Sequence, residues 1–148
     1  RLELIGNSIG AIEQSAIAGG TARTLTLVDN VIDEIQSRSL ILKVDVELTI
    51  EDNRFNVLRS EAFKGLTASH PTTVVHVRNV SIADSPKDVF DMLFGLIETS
   101  DNLRLEDVYL SSVKCECDPA QKLFKDVNMK ARISTKFRTI EKAIQCQK

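Results

Sequence analysis

The feature that most constrains this chain is an order of residues that recurs at an interval of 23 positions in its first part. A leucine, a second apolar residue two positions later, an asparagine and two further apolar residues keep the same places in each copy. The copies begin at Leu2, Leu25 and Leu48 and read LELIGNSIGAI, LTLVDNVIDEI and LTIEDNRFNVL. Recurrence at one fixed period predicts stacked repeats, in which each unit buries its apolar side chains against its neighbours.

Two looser copies follow at spacings of 27 and 28, and read VHVRNVSI from Val75 and LRLEDVYL from Leu103. Val80 and Val108 stand where the earlier copies have asparagine. We therefore predict about five repeats over residues 1–114, each with one short strand that pairs in parallel with the next. The predicted strands lie near residues 2–5, 25–28, 48–51, 74–78 and 103–106.

This order resembles the signature of the leucine-rich repeat family, L-x-L-x-x-N-x-L, and the AFKGL segment at 62–66 is similar to the A-F-x-G-L of extracellular members. The resemblance implies an α/β solenoid with a parallel β-sheet on its concave face, an irregular or helical convex side and a helical C-terminal cap over 115–148. Within the return segments, residues 13–23 read as an irregular loop, residues 40–47 as an extended segment and residues 86–98 as a helix.

A right-handed parallel β-helix is the alternative fold. The longer leucine-rich repeat pattern begins with another leucine, and this chain carries polar or small residues there, namely Ala22, Asp45, Thr72 and Ser100. The coils of a β-helix are of similar length, and they also use stacked asparagines.

The three asparagines of the repeat, Asn7, Asn30 and Asn53, predict a structural ladder. A buried amide costs on the order of 1 to 3 kcal/mol when it is left without a partner. Amides stacked at one position can satisfy each other and the backbone where the chain leaves each strand.

All three cysteines of the chain lie close to its end, at Cys115, Cys117 and Cys146. The first two resemble the C-x-C opening of the cap in extracellular leucine-rich repeat proteins. That resemblance implies a disulfide between Cys115 and Cys146, with Cys117 unpaired or bonded outside this chain, and an extracellular or cell-surface location. Free thiols in a reducing compartment are the alternative. Asn79 begins an Asn-Val-Ser tripeptide, which fits the acceptor pattern for N-glycosylation.

Composition narrows the classes of partner. The formal net charge is −2 with both signs interspersed, so the sequence predicts neither nucleic acid binding nor a basic membrane-binding patch. No apolar run is long enough to span a bilayer, so we expect no membrane insertion within this segment. We expect no cofactor and no metal site. Because the first repeat follows Arg1 directly, we also expect this chain to be a fragment of a longer array.

The sequence predicts a non-catalytic module that binds a protein partner on its concave face. Side chains that alternate with the buried ones on each strand point outward there. An enzyme acting on polysaccharide is one alternative, with Asp29, Asp52 and Asp107 as its carboxylates, and a structural matrix or scaffold protein is another. Neither the partner nor the oligomeric state can be read from the residues. The predicted concave-face residues are Glu3, Ile5, Thr26, Val28, Thr49, Glu51, His76, Arg78, Arg104 and Glu106.

Overall fold

The chain folds into a solenoid of parallel strands. The computed structural model describes residues 1–59, 61–84, 96, 98–110 and 144–146. Each strand lies on the equivalent strand of the next turn, and every pairing is parallel. The strands are β1 (Leu2–Ile5), β2 (Ser8–Ile12), β3 (Ile17–Val28), β4 (Val31–Ile35), β5 (Leu40–Leu58), β6 (Leu66–Ala68), β7 (Val74–Asp84), β8 (Asn102–Leu110) and β9 (Ile144–Cys146).

Each of the first three turns, which we call coils, carries strands on three faces. Coil one covers residues 1–23, coil two 24–46 and coil three 47–73; coil four starts at residue 74 and coil five at residue 102. The front face holds segments 2–5, 24–28, 47–51, 74–78 and 102–106. The second face holds 8–12, 31–35, 54–58, 80–84 and 108–110. The third face holds 17–22, 40–44 and 66–68.

Alternation of apolar and polar residues explains why each face has one buried side. On the front face, Leu25 and Leu27 are each 1% exposed, whereas Thr26 between them is only half-buried. Successive side chains of a strand point to opposite sides, so a period of two directs all the leucines inward. Ile32 from the second face and Val44 from the third join the same core, and both are fully buried.

The predicted stacking of the repeats is confirmed by the strand register. Leu25 pairs with Leu2 and Leu48, Leu48 with Val75, and Val75 with Leu103. The interval of 23 residues, lengthened later in the chain, therefore places equivalent side chains in continuous columns.

The return segments differ from the leucine-rich repeat expectation of an irregular or helical convex side. Within the described part of coils one to three each return segment includes a strand, and the predicted loop at 13–23 is wrong because most of it belongs to β3. Parallel pairing with 40–44 satisfies backbone groups that an irregular loop would leave to solvent, and the positive φ of Gly19 and Gly20 accommodates a bulge there. The extended segment predicted at 40–47 is confirmed as part of β5.

The predicted helix at 86–98 and the cap lie largely outside the described residues. Leu96, Glu98 and Thr99 are helical, and Leu96 is buried at 1% exposure. Within the segment expected to be a helical cap, Ile144–Cys146 forms β9 and pairs with the second-face part of β8. The parallel stacking therefore includes one strand from the segment that was predicted to be the cap.

The AFKGL segment turns the chain from the second face to the third. Ala62 and Phe63 are buried, and the Phe63 ring lies 6.1 Å from that of Phe55, centroid to centroid. A Cβ atom at Gly65 would come within 2.9 Å of the Ile41 Cγ1 atom and 3.0 Å of the Ile41 Cα atom. Glycine is needed here because a side chain would collide with the coil above.

The corner between the third and front faces varies in length. From Val44 to Glu47 the chain advances three positions, but it advances six from the equivalent Ala68 to Val74. Thr73 closes the longer corner, where its buried Oγ1 donates to the Asp45 carbonyl oxygen at 2.7 Å. In the next coil the Ser100 hydroxyl donates to the Thr73 carbonyl oxygen at 2.6 Å. At Ser100, one of the positions where the longer leucine-rich repeat pattern has leucine, the side chain therefore supplies a donor to a backbone carbonyl of the neighbouring coil.

Candidate functional site

The front face presents a straight column of outward side chains, one from each of the five coils. Glu3 pairs in register with Thr26 and Thr26 with Thr49. Thr49 in turn pairs with His76, and His76 with Arg104. Parallel strands lie about 4.8 Å apart, so the four steps of this column span about 19 Å. The register thus brings together five residues that are widely separated in sequence.

The ends of this column differ in charge and exposure from its middle. Glu3 and Arg104 are exposed, whereas the two threonines and His76 are half-buried between neighbouring coils. Glu3 accepts a hydrogen bond from the Arg1 Nε atom at 2.6 Å, and so its charge is partly balanced. Among the described residues, no carboxylate forms an ion pair with Arg104. The column is therefore acidic at one end and basic at the other.

A second column flanks the first and contains the remaining predicted contact residues. The residues that coils one and two contribute to this column are aliphatic, and the Ile5 side chain is 55% exposed. Further along, Arg78 and Glu51 form an ion pair that bridges neighbouring coils. From coil one to coil five, the residues of this second column are Ile5, Val28, Glu51, Arg78 and Glu106.

A shallow polar groove of about 460 Å³ runs over the first three coils of this face. Thr49 donates from its hydroxyl to the Glu47 Oε1 atom at 3.3 Å, which fixes that carboxylate over the sheet. The lining alternates acids, hydroxyls and guanidinium groups, and it lacks the apolar floor that a small-molecule pocket usually has. The residues that line it are Arg1, Glu3, Arg23, Thr24, Thr26, Glu47 and Thr49.

The three asparagines stack where the front face turns into the second face. The Asn53 Oδ1 atom accepts two hydrogen bonds from Asn30, from its backbone N and its Nδ2, both at 3.0 Å. The Asn30 Oδ1 atom accepts the same pair from Asn7, at 3.0 and 3.2 Å. Nδ2 of Asn53 also donates to the Leu27 carbonyl oxygen at 2.8 Å. The stack thus ties the first three coils together, with the bonds to the Oδ1 atoms donated toward coil three and the bonds from Nδ2 to the leucine carbonyls donated toward coil one.

The carboxylates of the alternative enzyme hypothesis lie at the bend between the front face and the second face, one residue before the column of Asn30, Asn53 and Val108. Asp29 and Asp52 each have φ near 56° and Asp107 has φ 51°, in the left-handed region. Gly6 and Asn79 occupy the same place in the other coils with φ 68° and 51°. Glycine, asparagine and aspartate adopt this conformation more readily than other residues. The requirement of each coil for a sharp turn therefore explains why these residue types recur.

This turn was not predicted from the sequence, although the residue pairs Gly-Asn and Asp-Asn are a usable signal for it. The Asn79 Nδ2 atom donates to the Asp52 Oδ1 atom at 2.7 Å, so neighbouring turn residues also interact. In the part of the chain that the structure describes, no three His, Cys, Asp or Glu residues cluster as metal ligands would.

The structure describes only some of the residues that were predicted to carry a glycan or a disulfide. Asn79 is exposed on its turn. Cys115 and Cys117 lie outside the described residues, and Cys146 belongs to β9. The disulfide between Cys115 and Cys146 and the glycan on Asn79 stay predictions.

Comparisons with known proteins do not assign the chain to a family. No protein-family model matches it, and no match was found among curated proteins or solved structures. Across the described residues, no helix has the length and apolar character needed to cross a membrane. Any statement of function therefore depends on the surface itself.

Proposed function

We propose that this chain is a non-catalytic recognition module that binds a protein partner on its front face. The single observation that supports this proposal is the in-register column of Glu3, Thr26, Thr49, His76 and Arg104. The parallel strand pairing fixes the backbone positions of these five residues, so the backbone of the face needs little ordering on binding. Extended surfaces of this kind are what solenoid proteins use to bind other proteins.

The chemistry of the column indicates what such a partner must offer. A cationic group would meet the Glu3 end, and a carboxylate would meet Arg104 at the other end, where a guanidinium can bind it through two hydrogen bonds. The half-buried threonines and His76 supply hydrogen-bonding groups between these ends. The exposed Ile5 adds an apolar contact at the edge of the face.

We further propose that the chain belongs to a secreted or cell-surface protein of the leucine-rich repeat type. Its support is the repeat order together with the C-x-C of Cys115 and Cys117 and the later Cys146. Disulfide formation in an oxidising compartment is the chemistry that this placement requires. Titration of free thiols in protein purified under non-reducing conditions tests it, and three reactive thiols would contradict it.

A polysaccharide-acting enzyme is the second candidate, and the strands on three faces of each early coil favour it because parallel β-helices have this coil. Glu3 and Glu47 in the polar groove are the carboxylates nearest to such a role. Both already have hydrogen-bonded neighbours, from Arg1 and from Thr49. Release of reducing ends from an acidic polysaccharide by the wild type but not by Glu47→Gln would replace the binding proposal.

The binding proposal is tested by changing the front column on three neighbouring coils. The triple variant Thr49→Ala, His76→Ala and Arg104→Ala removes a hydroxyl, an imidazole and a guanidinium from the column. Proteins captured from cell-surface and secreted fractions by the wild type are identified by mass spectrometry, and the affinity of each purified candidate is then measured by calorimetry. We expect the triple variant to bind the true partner at least tenfold more weakly.

The third face supplies a matched control. Thr21, Lys43 and Thr67 also lie in register on three neighbouring coils, with two hydroxyls and one cation. Their triple alanine variant should keep wild-type affinity. Equal affinity of the front-face variant and the wild type, with both proteins folded by circular dichroism, would refute the proposal.

A further inference from the structure

Four outward side chains on coils four and five of the front face form one cluster, which consists of Val74, His76, Asn102 and Arg104. Val74 pairs in register with Asn102, and His76 pairs with Arg104. Neighbouring strands lie about 4.8 Å apart, and residues two positions apart on one strand lie about 6.6 Å apart, so the four side chains border one small area. Arg104 is exposed, and the other three are half-buried. Val74 and Asn102 were not among the contact residues predicted from the sequence.

Three members of this cluster carry N–H donors. Among the described residues, the side chains of His76, Asn102 and Arg104 have no hydrogen-bond or ion-pair partner. The backbone N of Asn102 donates to the Ser100 Oγ atom at 3.1 Å, and this bond leaves the amide side chain unused. A neutral imidazole offers one N–H, a side-chain amide two and a guanidinium five. The cluster therefore presents several donors to one area of the front face.

Two carboxylates flank the cluster without pairing with Arg104. Glu106 follows Arg104 by two positions on the same strand. Glu47 pairs in register with Val74 and accepts a hydrogen bond from the Thr49 hydroxyl at 3.3 Å. Glu47 is two strand spacings and two residues from Arg104, about 12 Å, which exceeds the Debye length of about 8 Å at physiological ionic strength. Its repulsion of an anion beside Arg104 is therefore largely screened, and Glu106 is the closer source of repulsion.

We propose that this cluster binds one carboxylate of the protein partner, so that the partner presents an acidic side chain to coils four and five. This inference rests on the proposed binding role of the front face and names the group that anchors the partner. A planar carboxylate accepts two parallel N–H bonds from the Arg104 guanidinium, and His76 and Asn102 donate to the same group. The apolar Val74 side chain suits the methylene groups of a glutamate better than the shorter aspartate.

A phosphate group fits the cluster less well than a carboxylate does. Arg104 is the one arginine or lysine in it, and a single guanidinium matches the single negative charge and the two oxygens of a carboxylate. A phosphate carries a charge of about −1.5 to −2 near neutral pH, so Glu106 would repel it more strongly.

The probe for this site is a blocked pentapeptide with one central glutamate between alanines. It is titrated into the full chain while the imidazole signals are followed by nuclear magnetic resonance. The chain has two histidines, and the variant His70→Gln assigns the signals of His76. We expect a saturable shift of the His76 signals. The same peptide with glutamine in place of glutamate should bind at least tenfold more weakly, because it loses the charge that the guanidinium recognises.

Variants of the chain locate the contact. Arg104→Gln should weaken binding of the glutamate peptide at least tenfold. Arg54→Gln is the matched control, because Arg54 is an exposed arginine on the second face, and binding should be unchanged. Asn102→Leu removes the amide donors and should weaken binding about fivefold, the equivalent of one hydrogen bond. Glu106→Gln removes the nearby negative charge and should tighten binding about twofold.

The outcomes separate this inference from the proposed function. It is overturned if the glutamine peptide binds as tightly as the glutamate peptide, or if Arg104→Gln and Arg54→Gln bind the glutamate peptide equally well. Inorganic phosphate that saturates the His76 shift at a lower concentration than the peptide also overturns it. If the peptide fails while the triple front-face variant still loses the captured partner, the carboxylate assignment alone is wrong. If that triple variant keeps the partner, the proposed function itself is wrong.

Discussion

Replacing Asn53 by valine tests whether the asparagine stack holds the early coils together. The Asn53 side chain is 3% exposed and makes three hydrogen bonds, two to Asn30 and one to the Leu27 carbonyl oxygen. Valine fits the space, because Val80 occupies the next position of the same column. The substitution therefore isolates the loss of hydrogen bonds from any steric effect.

The expected loss follows from these contacts. Three hydrogen bonds are worth about 1 kcal/mol each, and the buried backbone N–H of Asn30 loses its acceptor, which brings the loss to about 4 kcal/mol. The apolar surface of the valine offsets about 1 kcal/mol of this loss. We therefore expect Asn53→Val to lower the free energy of unfolding by about 3 kcal/mol.

Urea denaturation followed by circular dichroism measures this change. With a slope typical of a small domain, the midpoint should fall by about 1 to 3 M. Asn7→Val is the control, because Asn7 is exposed and water can replace its hydrogen bonds, so its cost should stay below about 1 kcal/mol. If the two variants differ by less than about 0.5 kcal/mol, the stack does not stabilise the coils as described.

Three further substitutions test local features. Gly65→Ala should cost about 1 to 3 kcal/mol through its collision with the neighbouring isoleucine, and Gly10→Ala, which meets nothing within 4 Å, should be nearly neutral by thermal denaturation. Asp52→Val forces a β-branched residue to φ 56° and should cost about 1 to 2 kcal/mol, whereas Asp52→Gly should be tolerated; equal melting temperatures would contradict the role of the turn. The hydrogen bond from Lys64 lowers the pKa of Glu61 from its ordinary value of 4.5, so its stabilising effect is present above that pH and disappears as pH falls through the lowered pKa. Melting temperatures of the wild type and Glu61→Gln should therefore converge in acid, and a gap that stays constant with pH would refute this role.

The register of the solenoid could be predicted because one physical rule determines it. Buried side chains of identical spacing must stack, and the columns that begin at Leu2, Leu25 and Leu48 do so. The outward column follows from the same alternation, so its alignment was also predictable. The binding role of that column does not follow from the same rule, because stacking determines the backbone register and not the chemistry of the outward side chains.

The course of the return segments was harder to predict, because it depends on contacts between coils. Residues 13–23 contain two adjacent glycines and read locally as a loop, yet they form most of a strand because 40–44 of the next coil pairs with them. The glycine of the AFKGL segment is likewise explained by a contact between coils, because a side chain at this position would collide with Ile41. Spacing within one repeat carries little information about such contacts.

The lengthened corner between Ala68 and Val74 has a consequence for engineering and for divergence of the repeat. Three extra residues enter there while the strands on either side keep their columns. Insertions at this corner should therefore leave the stacked scaffold unchanged and emerge beside the front face. A graft of foreign loops at this position would give a family of proteins that share one backbone and differ only in what they contact.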